Sequence, residues 1–222
     1  YTNSSGAFSL QLGRKGKWYF GGGKETITPT DHGDSLGIQH FKAQTFNIEY
    51  YGDGRNDRWL PSKGYFWDAK TQIGQVKETN KKDNIIIRLQ LHLEQFLVLS
   101  RNMSLRFKLW SGIVWDEGQE IHVGQKIRYG GINTLRGYQE DIFANGIINI
   151  TSIDLLFTPN EHFQLFAFGD KAYQDVYDIP LSLGFGLRQR TKNSVMEVSF
   201  GWPVDEAFSG GKVHVKFTSL LN

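Results

Sequence analysis

Asn84-Ile85-Ile86-Ile87-Arg88-Leu89-Gln90-Leu91-His92-Leu93-Glu94 alternates between polar and apolar at every position but Ile86. Ile85, Ile87, Leu89, Leu91 and Leu93 share one face of an extended chain, and Arg88, Gln90, His92 and Glu94 share the other. The same two-residue period returns three more times. Leu181, Leu183, Phe185 and Leu187 alternate with Ser182, Gly184, Gly186, Arg188 and Arg190. Tyr65, Trp67, Ala69 and Ile73 alternate with Phe66, Asp68, Lys70 and Gln72. Val213, Val215 and Phe217 oppose Lys212, His214, Lys216 and Thr218. These runs are about nine to eleven residues long, the reach of a tilted strand across a bilayer, whereas strands of soluble sheets mostly hold about five or six. Aromatic residues gather near the run ends, at Trp18-Tyr19-Phe20, Tyr50-Tyr51, Trp59, Trp110, Trp115 and Trp202, as an interfacial girdle requires.

The spacing predicts strands near 7–13, 17–23, 36–51, 64–77, 84–99, 102–115, 146–158, 162–173, 180–191, 194–202 and 211–221. Arg14-Lys15-Gly16-Lys17 is read either as a turn or as a bulge inside one interrupted first strand. The expectation is an all-β, antiparallel up-and-down transmembrane β-barrel of roughly 8–10 strands in this chain, as a single domain over 1–222. Asn102, Pro159-Asn160 and Lys192-Asn193 mark short turns on one rim. Gly52–Lys63, Asp116–Asn145 and Pro203–Gly211 are longer and are assigned to the other. A soluble β-sandwich binding module is the competing fold, because antiparallel sheets with one wet face alternate in the same way.

Composition narrows the function classes. The 222 residues suffice for one all-β domain, and 14% aromatics with 25 glycines and only 5 prolines favour strands. A formal net charge of +2 with 22% charged residues gives no basis for a nucleic-acid partner. The absence of cysteine excludes disulfides and thiolate metal sites. The apolar runs are far short of the roughly twenty residues of a membrane helix, and Tyr1 does not open a signal peptide. The chain is therefore soluble, a membrane barrel, or part of a longer protein.

Catalytic and cofactor patterns are missing. His32, His40, His92, His122, His162 and His214 show no metal-ligand spacing. Gly21-Gly22-Gly23-Lys24 fails as a phosphate loop, since Glu25 stands where Ser or Thr is needed and Trp18 where the first glycine belongs. No nucleophile elbow and no paired acid and base occur. The expectation is a non-enzyme without cofactor or metal.

One stretch between the alternating runs stands apart: Tyr129-Gly130-Gly131-Ile132-Asn133-Thr134-Leu135-Arg136-Gly137-Tyr138-Gln139-Glu140-Asp141. Its glycines allow backbone angles closed to other residues, and Arg136 carries a rigid fork of donors suited to a carboxylate. Either the loop has a set shape with a partner for Arg136, or it is an ordinary hairpin loop with a solvated arginine.

Gly130, Gly131, Leu135, Arg136, Gly137 and Tyr138 resemble the Gly-Gly-x-x-x-(Val/Ile/Leu)-Arg-Gly-(Phe/Tyr) loop of the outer-membrane protein assembly and bacterial surface antigen superfamily. That superfamily holds BamA, TamA, the two-partner secretion transporters and patatin-linked barrels. Four further motifs follow in the superfamily's order. Asn56 to Gly64 resembles the Asp…Pro-x-x-Gly that opens a barrel strand, and Phe168-Gly169-Asp170 resembles its Phe-x-Asp. Gly184, Gly186 and Arg188 resemble the Gly-x-Gly-x-Arg strand, and Glu197, Gly201 and Pro203 the penultimate strand ending in Gly-x-Pro. The set covers about 56–222.

The resemblance implies a loop over about 116–145 folded into the lumen, with Arg136 paired to Asp170 on the wall. Glu140 and Asp141 are rival partners. Phe166 and Phe168 would then face the packed loop rather than lipid. It also implies a 16-stranded barrel preceded by periplasmic domains. This chain is then either a short member or the C-terminal part of such a barrel, with no periplasmic domain of its own. An incomplete barrel would need a second copy or another envelope protein at its edges. The implied location is the bacterial outer membrane, and the implied partners are the lipid bilayer and client outer-membrane or secreted proteins. The implied role is assisting insertion or export of β-rich proteins, through a seam between residues near Ala7–Gly13 and Val213–Leu220. An anchoring or export barrel for an effector such as a patatin-type lipase is the alternative. Ala172 where glycine is common, Glu197 where aspartate is usual, and the ending Thr218-Ser219-Leu220-Leu221-Asn222 without a final aromatic depart from the pattern.

Overall fold

Long alternating runs bounded by polar connections fold into one continuous antiparallel sheet in the computed structural model. It describes residues 2–12, 16–28, 41–78, 83–117, 121, 123–174 and 180–220. The strands are β1 (Thr2–Leu12), β2 (Gly16–Ile27), β3 (Phe41–Asp53), β4 (Gly64–Glu78), β5 (Asn84–Val98) and β6 (Met103–Asp116). Two short strands follow, β7 (Ile127–Tyr129) and β8 (Phe143–Asn145). The series closes with β9 (Ile147–Asn160), β10 (Phe163–Gln174), β11 (Leu181–Arg190), β12 (Ser194–Pro203) and β13 (Lys212–Ser219). Eleven of them pair in the order β1-β2-β3-β4-β5-β6-β9-β10-β11-β12-β13, and β7 and β8 form a separate hairpin inserted between β6 and β9. The main sheet thus exceeds the expected 8–10 strands. Leu12 opposes Gly16 and Thr2 opposes Thr26, so the first two segments are partners in a hairpin and not one bulged strand. His32, His40, His122 and the 36–40 start expected for the third strand lie outside the described residues, as do Gly13 at one end of the expected seam and the terminal Leu221-Asn222.

The two faces of this sheet are inverted relative to a soluble protein. On β9, Ser152 and Asp154 are buried while Ile147, Ile153, Leu155 and Phe157 are exposed. On β6, Ser104, Arg106 and Lys108 are buried, with Phe107, Ile113 and Trp115 outside. On β11, Ser182 and Arg188 point inward and Leu181, Leu183 and Phe185 outward. A sandwich would press its apolar faces together and leave the charges in water. Here the charges are enclosed and the Ile, Leu and Phe faces look out, as in a barrel whose outer face meets hydrocarbon. The sandwich reading therefore fails. Across β2, β3 and β4, Trp18 stacks on Tyr50 (4.4 Å) and Tyr50 meets Trp67 edge-on (4.2 Å), an aromatic ladder close to one rim.

Strand parity also corrects the assignment of loops to rims. Residues 54–63 join β3 to β4, on the same rim as the tight turns after β5, β9 and β11. This longer connection turns inward. Leu60 is 3% exposed, and the amide of Gln164 on β10 donates to the Pro61 carbonyl (3.1 Å). Its shape comes from two side chains. Asn56 Oδ1 accepts from the N–H groups of Ser62 and Lys63, and Asp57 Oδ1 from those of Trp59 and Leu60. Arg190 Nη1 on β11 then donates to Asp57 Oδ2 at 2.6 Å.

Candidate functional site

The segment between β7 and β8 builds a compact knob against the enclosed face of the sheet. Ile127, Tyr129 and Leu135 pack with Ile148 and Ile150 of β9, Val114 of β6 and Ala172 of β10 in one apolar cluster. That burial holds the knob down by its non-polar side. Within it, Thr134 Oγ1 accepts from the Gly130 N–H (2.9 Å) and donates to the Gly130 carbonyl (2.8 Å), closing the turn on itself. Gly137 has φ +88°, and a Cβ there would sit 3.0 Å from both Ser182 Cβ and the Trp202 nitrogen. The backbone comes that close to β11 and β12 because neither Gly137 nor Gly201 has a side chain.

This approach drives Arg136 into the wall. It is 1% exposed, and Asp154 and Asp170 are 0% exposed. Its Nε and Nη2 grip Asp170 at 2.8 and 2.5 Å, and its Nη1 and Nη2 grip Asp154 at 3.1 and 2.8 Å. The Arg136 backbone N–H adds a bond to Asp170 Oδ2 (3.0 Å), and the guanidinium carbon lies 3.6 Å from the centroid of the Phe168 ring. Arg106 Nη2 reaches the second side of Asp154 at 2.5 Å. Two guanidinium groups and two carboxylates thus form a neutral buried quartet, the condition under which enclosed charge is tolerated.

The rival carboxylates are occupied otherwise or lie outside. Glu140 Oε2 accepts from the Ile132 N–H (3.2 Å), and Asp141 is exposed at φ +54°. Asp154 is the partner that the motif reading missed. A sequence signal existed: on the inward parity of β9, Asp154 is a lone carboxylate among Ile148, Ile150, Ser152 and Leu156. An acidic residue on such a face needs a cation close by.

The remaining motif residues frame the quartet. Phe166 opposes Gly186 and Phe168 opposes Gly184 across β10 and β11. A Cβ at Gly184 would strike the Phe168 ring, and one at Gly186 would lie 2.5 Å from Phe166 Cζ. The two glycines therefore make the hollow in which both rings lie flat beside Arg136. Arg188 opposes Glu197 and bonds it through Nε at 2.8 Å, while its Nη1 donates to Gln164 (2.9 Å). Tyr138 packs edge-on against Phe143 (5.3 Å) and its hydroxyl donates to the Leu181 carbonyl (3.4 Å). Pro203 is buried at the end of β12, opposite Ser182. The knob also reaches the last strand. Gly137 N–H donates to His214 Nε2 (3.1 Å), and Lys216 Nζ to Asn133 Oδ1 (2.8 Å). Burial drives the Tyr138 phenol up to about 12, with Asp205 and Glu206 adding to the rise, so it remains a neutral donor. Among the described residues no group of His, Asp or Glu is arranged to hold a metal ion.

An apolar-out, charge-in antiparallel sheet with an arginine knob pinned on its inner wall defines an integral outer-membrane β-barrel protein. The Omp85 superfamily domain matches residues 17–158, and the chain belongs to that superfamily. Its fold is similar to that of BamA from Haemophilus ducreyi lacking POTRA domains 1–3, with a TM-score of 0.74 at 13% identity, covering 97% of this chain and 53% of that one. It is also similar to CdiB from Acinetobacter baumannii, with a TM-score of 0.62 at 12% identity, covering 93% and 39%. The chain thus spans about half the length of the first of these structures and less of the second. No curated protein sequence matches it.

Proposed function

We propose that this chain forms the working part of an outer-membrane barrel that assists insertion or export of β-rich proteins. Residues 1–222 act as one barrel unit, with about 116–145 as its lumenal loop. The observation that carries the reading is the Arg136 knob, which couples the inner wall of β9 and β10 to β13 through His214 and Lys216. β13 and β1 are the two edges of the main sheet, and a client strand, a second copy or another envelope chain can add there by backbone hydrogen bonding. A loop that fixes the position of one edge sets how readily that edge opens.

The test places the protein in liposomes and follows folding of an unfolded outer-membrane β-barrel client by its electrophoretic shift. The reading predicts faster client folding than in empty liposomes, and a slower rate for Arg136→Ala. Equal rates with and without the protein would contradict it, as would an undiminished rate in the variant.

A further inference from the structure

Between the inward-turned segment 54–63 and the inner wall lies a chamber of about 320 Å³. Arg55, Arg58, Arg106, Arg188 and Lys216 line it, from the turn, β6, β11 and β13. Among the described residues two carboxylates, Glu94 and Glu197, line it with them. Glu94 is shared by Arg106 (3.7 Å), Arg55 (3.9 Å) and His92 (3.1 Å), and Glu197 is held by Arg188. Arg55 is also paired with Asp53 (2.7 Å) and Arg106 with Asp154, so the excess positive charge of the lining falls on Arg58 and Lys216, an arrangement that attracts anions.

The cations differ in what they have to spare. Arg106 lines the chamber, but its terminal nitrogens are committed to Asp154 and Glu94 and its Nε is closed off from the open space. Arg58 has no carboxylate within 4 Å among the described residues, and its guanidinium carbon lies 5.1 Å from the Trp59 ring centroid. The Thr218 hydroxyl, also on the lining, adds a further donor.

We propose that this chamber is a binding site for a phosphate group, carried by a small solute or by a phosphorylated headgroup fragment. Phosphate fits better than carboxylate because the lining cations come from four separate elements around one space. A carboxylate offers two oxygens on one edge, whereas phosphate offers acceptors in three dimensions. The site lies apart from the quartet at Arg136, with Arg106 as the residue common to both.

The test titrates the detergent-solubilised protein with inorganic phosphate, and separately with glycerol phosphate, by calorimetry in a low-salt buffer free of other oxyanions. The proposal predicts saturable binding at a single site, weakened about tenfold or more by Arg58→Ala, which removes charge-assisted donors. Arg58 is exposed and outside every ion pair among the described residues, so its variant keeps the fold. Binding of inorganic phosphate alone assigns the site to a free solute, and tighter binding of glycerol phosphate assigns it to a headgroup. No saturable heat with either ligand, or affinities unchanged by Arg58→Ala, would overturn the proposal.

Discussion

Arg136 turns all three of its guanidinium nitrogens on two carboxylates from adjacent strands, which makes it more than a loop anchor. Removing Arg136 leaves Asp154 and Asp170 enclosed without the guanidinium that bonds them both, and removing Asp170 leaves Arg136 half satisfied. Breaking a buried pair of this kind costs about 3–5 kcal/mol. Arg136→Ala and Asp170→Ala should each lower the thermal unfolding midpoint in detergent, and the double variant should lose much less than the sum. Simple addition of the two losses would mean that the groups do not act on each other. The sequence made the loop glycines and the Arg136–Asp170 pairing legible through motif order. It did not make Asp154 legible, because strand alternation marks which face a carboxylate is on but not which loop returns to meet it. The choice between Asp170 and the nearer Glu140 and Asp141 likewise rests on backbone path, which no local pattern encodes.

At the scale of an element, the inward turn 54–63 is held by Asn56 and by the Asp57 carboxylate, and only the second of these titrates. Burial raises the Asp57 carboxyl, but the N–H groups of Leu60 and Trp59 and the Arg190 guanidinium outweigh it, leaving it below the usual carboxylate range. A carboxyl held below its unfolded-state value contributes stability that is full above that unfolded value and is lost as pH falls through the lower folded value. The unfolding midpoint of the native protein should therefore exceed that of Asp57→Asn at neutral pH, and the gap should close on acidification below about pH 4. A gap independent of pH would show that the Asp57 charge is not what holds the turn. The strands themselves were legible because a two-residue period over ten or more residues has one reading. The rim of 54–63 was not, since loop length alone suggested the wrong side. Counting strands settles it, because two antiparallel strands, β4 and β5, separate this connection from the tight turn after β5.

For the whole molecule, the decisive property is the inversion of its faces. Phe185, Ile153 and Val215 are 53%, 52% and 63% exposed while Asp154, Asp170 and Arg136 are enclosed, and only an apolar surrounding makes both placements favourable together. Periodicity predicted the two faces but was silent on which of them looks outward, since a sandwich and a barrel share it. The enclosed quartet and the inward-turned loops decide that point. The absence of cysteine permits a direct test by single-cysteine spin labels placed one at a time from Ile147 to Phe157 on β9, in the protein reconstituted into bilayers. The account predicts labels at 147, 153, 155 and 157 that are relaxed by dissolved oxygen and shielded from a water-soluble relaxant. It predicts neighbours at 152 and 154 that are shielded from oxygen. Uniform access of the water-soluble relaxant along the strand, or alternation of the opposite phase, would contradict it.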